Sequence, residues 1–370
     1  MSEQSLNPGV QDHSRRQFLH GSLAAAGVSM LTLPASARAA DKKLGVALVG
    51  LGTLSTDQIA PALLKTTNCR LAGIVTGSPT KARAWAAKYA IHEKNIYDYA
   101  NFDRIADNPD VDIVYVVLPN ALHAEYTVRA ARAGKHVLCE KPMAISAKDC
   151  EAMIAACRKA NRQLAVAYRL HFEPHNLEAK RLGQQKVFGA LRTIEAGFGF
   201  QIGDPNQWRL KKGLSGGGAL MDVGIYALQA ARYVSGEEPV EVSAVETKTD
   251  PVKFKEVDET TYFTLKFPSG LVGNCGTSYS ANFARLWAGA EKGAFELNPA
   301  YYYDGIKGKA NGKPLSFPEV DQFAAEMDDF AACVRDNKPT GVPGEEGLRD
   351  LRIIEAIYRS AATGKSVKLG

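Results

Sequence analysis

The sequence predicts an α/β protein: an N-terminal doubly wound parallel sheet of Rossmann type, followed by an α+β domain on a mostly antiparallel open sheet. Three observations carry this expectation. Between residues 40 and 164 short, continuous apolar runs alternate with helical stretches, as strands buried on both faces require. Beyond Leu164 the pattern changes to strand-like segments separated by Pro, Gly and charged turns. A chain of 370 residues, 45% of them hydrophobic, also exceeds what one core holds, so two domains are expected after an N-terminal segment.

Leu44–Val49 reads as the first strand, and helical sequence runs from there to about Lys65, with Pro61 standing awkwardly inside it. Arg70–Val75 is a second strand and Lys81–Tyr89 a helix. Asp112–Leu118 is a buried strand ending at Pro119-Asn120, and His123–Ala133 a helix closed by Gly134. His136–Cys139 and Ala147–Ala160 complete the alternation, which implies right-handed crossovers. In the second half Leu191–Phe200, Val240–Thr249, Thr260–Phe267 and Leu271–Ser280 read as strands, and Ala219–Val234 and Glu326–Asn337 as helices. The expected division is therefore 1–39, 40–164 and 165–370.

Composition narrows the partners. Lysine plus arginine number 45 against 40 acidic residues, well interleaved, which argues against a nucleic-acid stripe. The six cysteines are scattered without zinc spacing. His171 and His175 lie near Arg169 but find no third ligand, so no metal is expected. No apolar run is long enough for a membrane anchor.

The first 39 residues read as an address. Ser14-Arg15-Arg16-Gln17-Phe18-Leu19 is followed by a mildly apolar stretch from Gly21 to Pro34 and by Ala35-Ser36-Ala37 and Ala37-Arg38-Ala39. These parts, in this order, make a twin-arginine signal peptide cut after Ala37 or Ala39. The expectation is a periplasmic protein, exported folded by the Tat machinery around a cofactor loaded beforehand.

Gly50-Leu51-Gly52-Thr53-Leu54-Ser55 follows the first strand and opens a helix. It fits G-x-G-x-x-G with Ser55 in the third glycine place. The first glycine serves the tight turn, the second admits a pyrophosphate, and the helix start offers free N–H groups. At the end of the second strand an NAD site places a carboxylate for the ribose. Here Thr76, Gly77, Ser78 and Lys81 stand instead, suited to a 2′-phosphate, so NADP(H) is expected. Strands ending in Leu118-Pro119-Asn120 and Glu140-Lys141-Pro142 bring polar groups to the sheet edge where such folds bind ligands. His123 beside Asn120 is read as packing on the cofactor side. Asp222 and Tyr226, four apart after Gly216-Gly217-Gly218, share a helix face.

Taken together these blocks resemble the Gfo/Idh/MocA family, and within it the branch of periplasmic glucose–fructose and aldose–aldose oxidoreductases. The resemblance runs from about Leu44 to the C-terminus through the Gly50 loop, Leu118–Glu125, Cys139–Ala144, Tyr168-Arg169, Gln207–Leu210, Gly216–Tyr226 and Pro343–Gly347. It implies catalytic roles for Lys141 and Tyr226, with Asp222 in support. Trp208 and Arg209 would reach the cofactor from the second domain, Arg169 would serve cofactor and sugar, and Tyr168 and Tyr302 would line the sugar pocket. The reaction implied is oxidation of an aldose at C1 to its lactone, Tyr226 taking the hydroxyl proton with help from the Lys141 charge.

Free NADP is not expected in the periplasm, so a tightly held cofactor reoxidised by a second sugar follows from the address. Two readings stand beside this one: a glucose–fructose oxidoreductase forming sorbitol, and a non-catalytic sugar or nucleotide binder on the same scaffold. A homo-oligomer, dimer or tetramer, is expected through the antiparallel sheet.

Overall fold

The computed structural model describes residues 43–370; the expected signal segment lies outside the described residues. Within them, β1 (Leu44–Val49), β2 (Cys69–Val75), β3 (Ile96–Tyr97), β4 (Ile113–Val116), β5 (His136–Glu140) and β6 (Leu164–Ala167) form one parallel sheet. Its order is β3-β2-β1-β4-β5-β6, the doubly wound order that reverses between β1 and β4. The apolar runs lie where continuous burial demands: Ala47, Leu48, Val49 and Ile113 to Val116 are almost wholly inaccessible. The boundary expected after residue 164 falls at the first residue of β6, which pairs with β5, so this sheet runs three residues further.

Pro61 is accommodated by a local change of helix type. Residues 55–59 form a π-turn, with Ala60 N–H bonding the Ser55 carbonyl, and Pro61 then stands in the first turn of Ala60–Leu63. A proline needs no N–H there, and its ring escapes the usual clash. The following helix begins earlier than expected, at Pro79. Ser78 caps it by accepting the Lys81 N–H at 3.3 Å.

The second sheet comprises β7 (Leu191–Gly199), β8 (Glu241–Thr247), β9 (Thr260–Lys266), β10 (Val272–Ser278), β11 (Phe283–Ala290), β12 (Gly293–Leu297), β13 (Gly308–Ala310), β14 (Lys313–Leu315) and β15 (Val367–Lys368). The order is β14-β13-β12-β11-β7-β10-β9-β8-β15, antiparallel throughout except for the β7–β10 pair. One face is covered: Thr261, Phe263 and Leu265 of β9 are buried while Tyr262 and Lys266 between and after them are exposed. Helix Ile225–Ser235 packs against β7 on the buried side, and helix Gly344–Thr363 packs against β8, β6 and helix Ala147–Lys159. Helix Gly344–Thr363 therefore touches both sheets, and the described residues form one compact unit.

Candidate active site

A cleft of about 1090 Å³ opens at the carboxyl ends of β1 and β4 and runs to the covered side of the second sheet. Its construction starts at Gly50. This residue has φ +95°, and a Cβ there would stand 2.3 Å from the Val117 carbonyl oxygen, so only glycine makes the turn. At Gly52 a Cβ would meet nothing within 4 Å, which leaves the loop open towards the cleft. Ser55 in the third glycine place is buried, and its hydroxyl donates to the Gly50 carbonyl at 2.6 Å. The serine thus braces the turn that a third glycine would merely permit.

Leu51, Thr53, Leu54, Thr76, Gly77, Ser78, Lys81, Leu118, Pro119, Asn120 and His123 all line this half of the cleft. Lys81 Nζ reaches across to the Leu51 carbonyl at 3.0 Å, beside the glycine loop. His123 is buried, its ring nitrogens 2.8 Å from the Leu118 carbonyl and 2.9 Å from the Pro142 carbonyl, tying the two strand-end loops together. Burial lowers its pKa against the pull of the two carbonyls, and the ring packs between the loops. Open glycine loop, helix start and a lysine in the first turn of the helix after β2 together fit the pyrophosphate and ribose of a dinucleotide.

The other half is built around Asp222. Its helix opens with a π-turn, Leu220–Gly224, whose entry is held by Asp258: the carboxylate accepts N–H bonds from Gly218 at 2.6 Å and Leu220 at 2.7 Å. A Cβ on Gly218 would fall 2.0 Å from the Asp258 carbonyl oxygen, so the glycine run admits a neighbouring backbone. Asp222 then faces three donors. Lys141 Nζ bonds its carbonyl at 2.7 Å and its carboxylate at 3.3 Å, and Arg209 Nε and the Tyr279 hydroxyl each reach Oδ2 at 3.0 Å. Burial alone would raise the Asp222 carboxyl, but Arg209 and Lys141 hold it below the ordinary carboxylate range. Burial would likewise lower Lys141, yet attraction to Tyr226, Asp222 and Glu140 raises it. Lys141 therefore remains an ammonium at neutral pH.

Tyr226 lies one turn beyond Asp222. Lys141 Nζ stands 4.9 Å from its ring centroid and the Arg169 guanidinium 5.0 Å. Arg169 is buried and donates to the Tyr301 carbonyl at 2.6 Å and the Tyr302 carbonyl at 3.1 Å, so it secures the tyrosine segment over the cleft. Trp208, Arg209, Glu140 and Tyr302 also line the cleft. The structure adds Tyr279, Tyr301, Tyr303, Phe198 and Phe323, none of which sequence reading singled out as site residues.

One expectation is corrected. Tyr168 is 4% exposed and bonds Asp350 at 2.5 Å, on the side away from the cleft. Chain direction explains it: where an extended strand ends, neighbouring side chains leave on opposite faces, and Arg169 takes the cleft side. His171 and His175 also point elsewhere, towards Gln229 and Glu173.

Comparison with known proteins agrees with this geometry. Residues 44–168 match the oxidoreductase family with an NAD-binding Rossmann fold. Residues 176–296 match the GFO/IDH/MocA C-terminal domain and 308–369 the C-terminal alpha/beta domain of the oxidoreductase family. The crystal structure of aldose-aldose oxidoreductase from Caulobacter crescentus, complexed with glycerol, is 49% identical, with a TM-score of 0.87 over 89% of this chain and 100% of that one. D-xylose 1-dehydrogenase [NADP(+)] of Haloarcula marismortui is 32% identical over 90% of this chain and 94% of its own. A second D-xylose 1-dehydrogenase (NADP(+)), from Haloferax volcanii, is 29% identical over 87% and 98%. With its glycine cradle, its Lys141–Asp222–Tyr226 group and matches along nearly all the described residues, the chain belongs to the Gfo/Idh/MocA family of oxidoreductases.

Proposed function

We propose that the protein is an NADP-dependent sugar oxidoreductase that keeps its cofactor bound, oxidising one aldose at C1 to its aldonolactone and reducing a second aldose to an alditol. The observation that carries this reading is the Lys141–Asp222–Tyr226 group standing in the same cleft as the glycine cradle. The 49% identity to an aldose-aldose oxidoreductase supports the choice of substrates. A bound nicotinamide supplies the site that accepts and returns a hydride.

The chain's own residues handle the proton and the positioning. Tyr226 Oη takes the proton from the C1 hydroxyl of the donor sugar. Lys141, an ammonium anchored on Asp222, donates a hydrogen bond where negative charge develops. Arg209 and Tyr279 fix the Asp222 carboxylate so that Lys141 keeps its place. Phe198 and Phe323 form apolar walls that limit water beside the reacting carbon. For the acceptor sugar, Tyr226 returns the proton to the carbonyl oxygen.

Thr76, Gly77, Ser78 and Lys81 support NADP over NAD, because no carboxylate stands among them to repel a 2′-phosphate. Lys81→Ala is expected to weaken NADP binding roughly ten- to a hundredfold, the worth of one charge-assisted hydrogen bond, and to leave NAD binding nearly unchanged. Titration of each nucleotide by fluorescence checks this; equal losses for both would place Lys81 elsewhere.

The paired arginines and A-x-A ends of the first 39 residues support export of the folded, loaded protein to the periplasm by the Tat machinery. Subunit association is assigned to the open face of the second sheet, where Tyr262 and Val245 are more than half exposed.

Pairs of sugars incubated with the protein and no added nucleotide test the whole reading. Lactone and alditol are expected in equal amounts from two aldoses. Sorbitol formed faster from fructose would favour the glucose–fructose reaction instead. Turnover only with a continuous supply of NADP would overturn the retained cofactor.

A further inference from the structure

Behind Lys141 lies a buried acidic chain that the proton path at Tyr226 does not use. Tyr115, in β4, is fully buried, and its hydroxyl stands 2.8 Å from Glu140 Oε1 and 3.1 Å from Glu326 Oε1. Glu140 ends β5, lines the cleft and accepts the Lys141 N–H on Oε2 at 3.2 Å. Glu326, on helix Gln322–Arg335, is 1% exposed, and its Oε2 has no hydrogen-bond partner.

A phenol has one proton and cannot donate it to two carboxylates. Two carboxylates this close in a dry interior do not both ionise. The arrangement that satisfies both contacts of the phenol has a protonated Glu326 donating from Oε1 to Tyr115 Oη, which donates to the Glu140 carboxylate. The surrounding charges agree. Burial raises both carboxyls; Lys141 and Arg169 oppose it at Glu140, whereas Glu140 and Asp321 add to it at Glu326 and push that carboxyl well above its ordinary range against the pull of Tyr115 and Arg169.

We propose that Glu326, Tyr115 and Glu140 form an internal proton relay that shifts one negative charge between the Lys141 end of the cleft and the interior when the bound dinucleotide changes redox state. The relay rests on the hydride-transfer reading above. While the nicotinamide ring is cationic, Glu140 is the carboxylate and Glu326 the acid. Once the ring is neutral, the Tyr115 proton passes to Glu140 Oε1 and the Glu326 proton passes to Tyr115 Oη. O–H bonds form at Glu140 and Tyr115 and break at Tyr115 and Glu326. No proton enters or leaves and no electron moves along the chain; reoxidation reverses both transfers. Tyr115 and Glu326 are positioning residues that act through Glu140.

Infrared difference spectra between the NADP+ and NADPH complexes test the relay without sugar turnover. The wild type is expected to show one protonated-carboxyl band lost and another gained, both moving when glutamate carboxyls are isotope-labelled. Glu326→Gln and Tyr115→Phe are each expected to abolish the pair. A labelled wild-type spectrum lacking the pair overturns the relay, even if neither variant folds. A pair that persists unchanged in Glu326→Gln overturns it too. Adding an aldose to the NADP+ complex separates the two readings: failure to reduce the nucleotide counts against hydride transfer, while the band pair still judges the relay.

Discussion

Tyr226→Phe is expected to lower the rate of sugar oxidation by about 10²–10⁴-fold while leaving fold and nucleotide binding intact, the range typical of losing one general acid–base group. The substitution is informative because the ring does structural work of its own. It packs edge-on against Phe198 at 5.5 Å and near Tyr301 at 6.1 Å, and it carries Lys141 and Arg169 over its faces. Phenylalanine keeps all of these contacts and removes only the hydroxyl. The loss should therefore appear in the single-turnover rate of nicotinamide reduction, with little change in sugar KM. A variant that binds NADP and retains the full rate would assign the proton to another group.

The largest loss of stability is expected at Arg232. Its side chain is 4% exposed and reaches Asp350 at 2.6 Å, Glu238 at 2.6 and 2.7 Å and Glu346 at 3.0 Å. Asp350 is wholly buried and also accepts from Tyr168 and Gln229. This network joins the helix carrying Tyr226 to the C-terminal helix and the end of β6. Arg232→Met leaves Asp350 buried without its counter-charge, a change that costs about 3–5 kcal/mol in comparable pairs. The denaturant midpoint should fall accordingly. Replacing both members, as Arg232→Met with Asp350→Leu, should restore part of the loss, because the desolvated carboxylate goes with its partner. A double variant no more stable than the single one would show that the pair's shape, not its charge, is what holds the helices.

The parts of this protein legible in the sequence are those where backbone conformation or continuous burial restricts residue choice. Gly50 and Gly52 answer to a turn that side chains cannot make, and the apolar runs of β1 and β4 answer to a sheet covered on both faces. Lys141 stood out because it directly follows such a strand, and Asp222 and Tyr226 because their spacing matches a helix face. Less legible were contacts between residues far apart in the chain. Tyr279 completes the Asp222 site from beyond β10, and Glu326 meets Tyr115 from a helix near the C-terminus. Nothing local marks either residue. Tyr168 misled for a related reason: adjacency to Arg169 says nothing of which face each side chain takes. In the second sheet, strand-like patterning between turns revealed β7, β8, β9 and β10, but neither β11 to β15 nor that β7 and β10 run parallel.

The central claim is that one polypeptide holds its nucleotide and passes a hydride between two sugars. Stopped-flow mixing of the purified protein with an aldose, no nucleotide added, tests it most directly. Nicotinamide absorbance should rise to one equivalent per chain, stop there, and collapse when a second sugar is added. No rise with an aldose, or a rise that requires added NADP, would contradict the account.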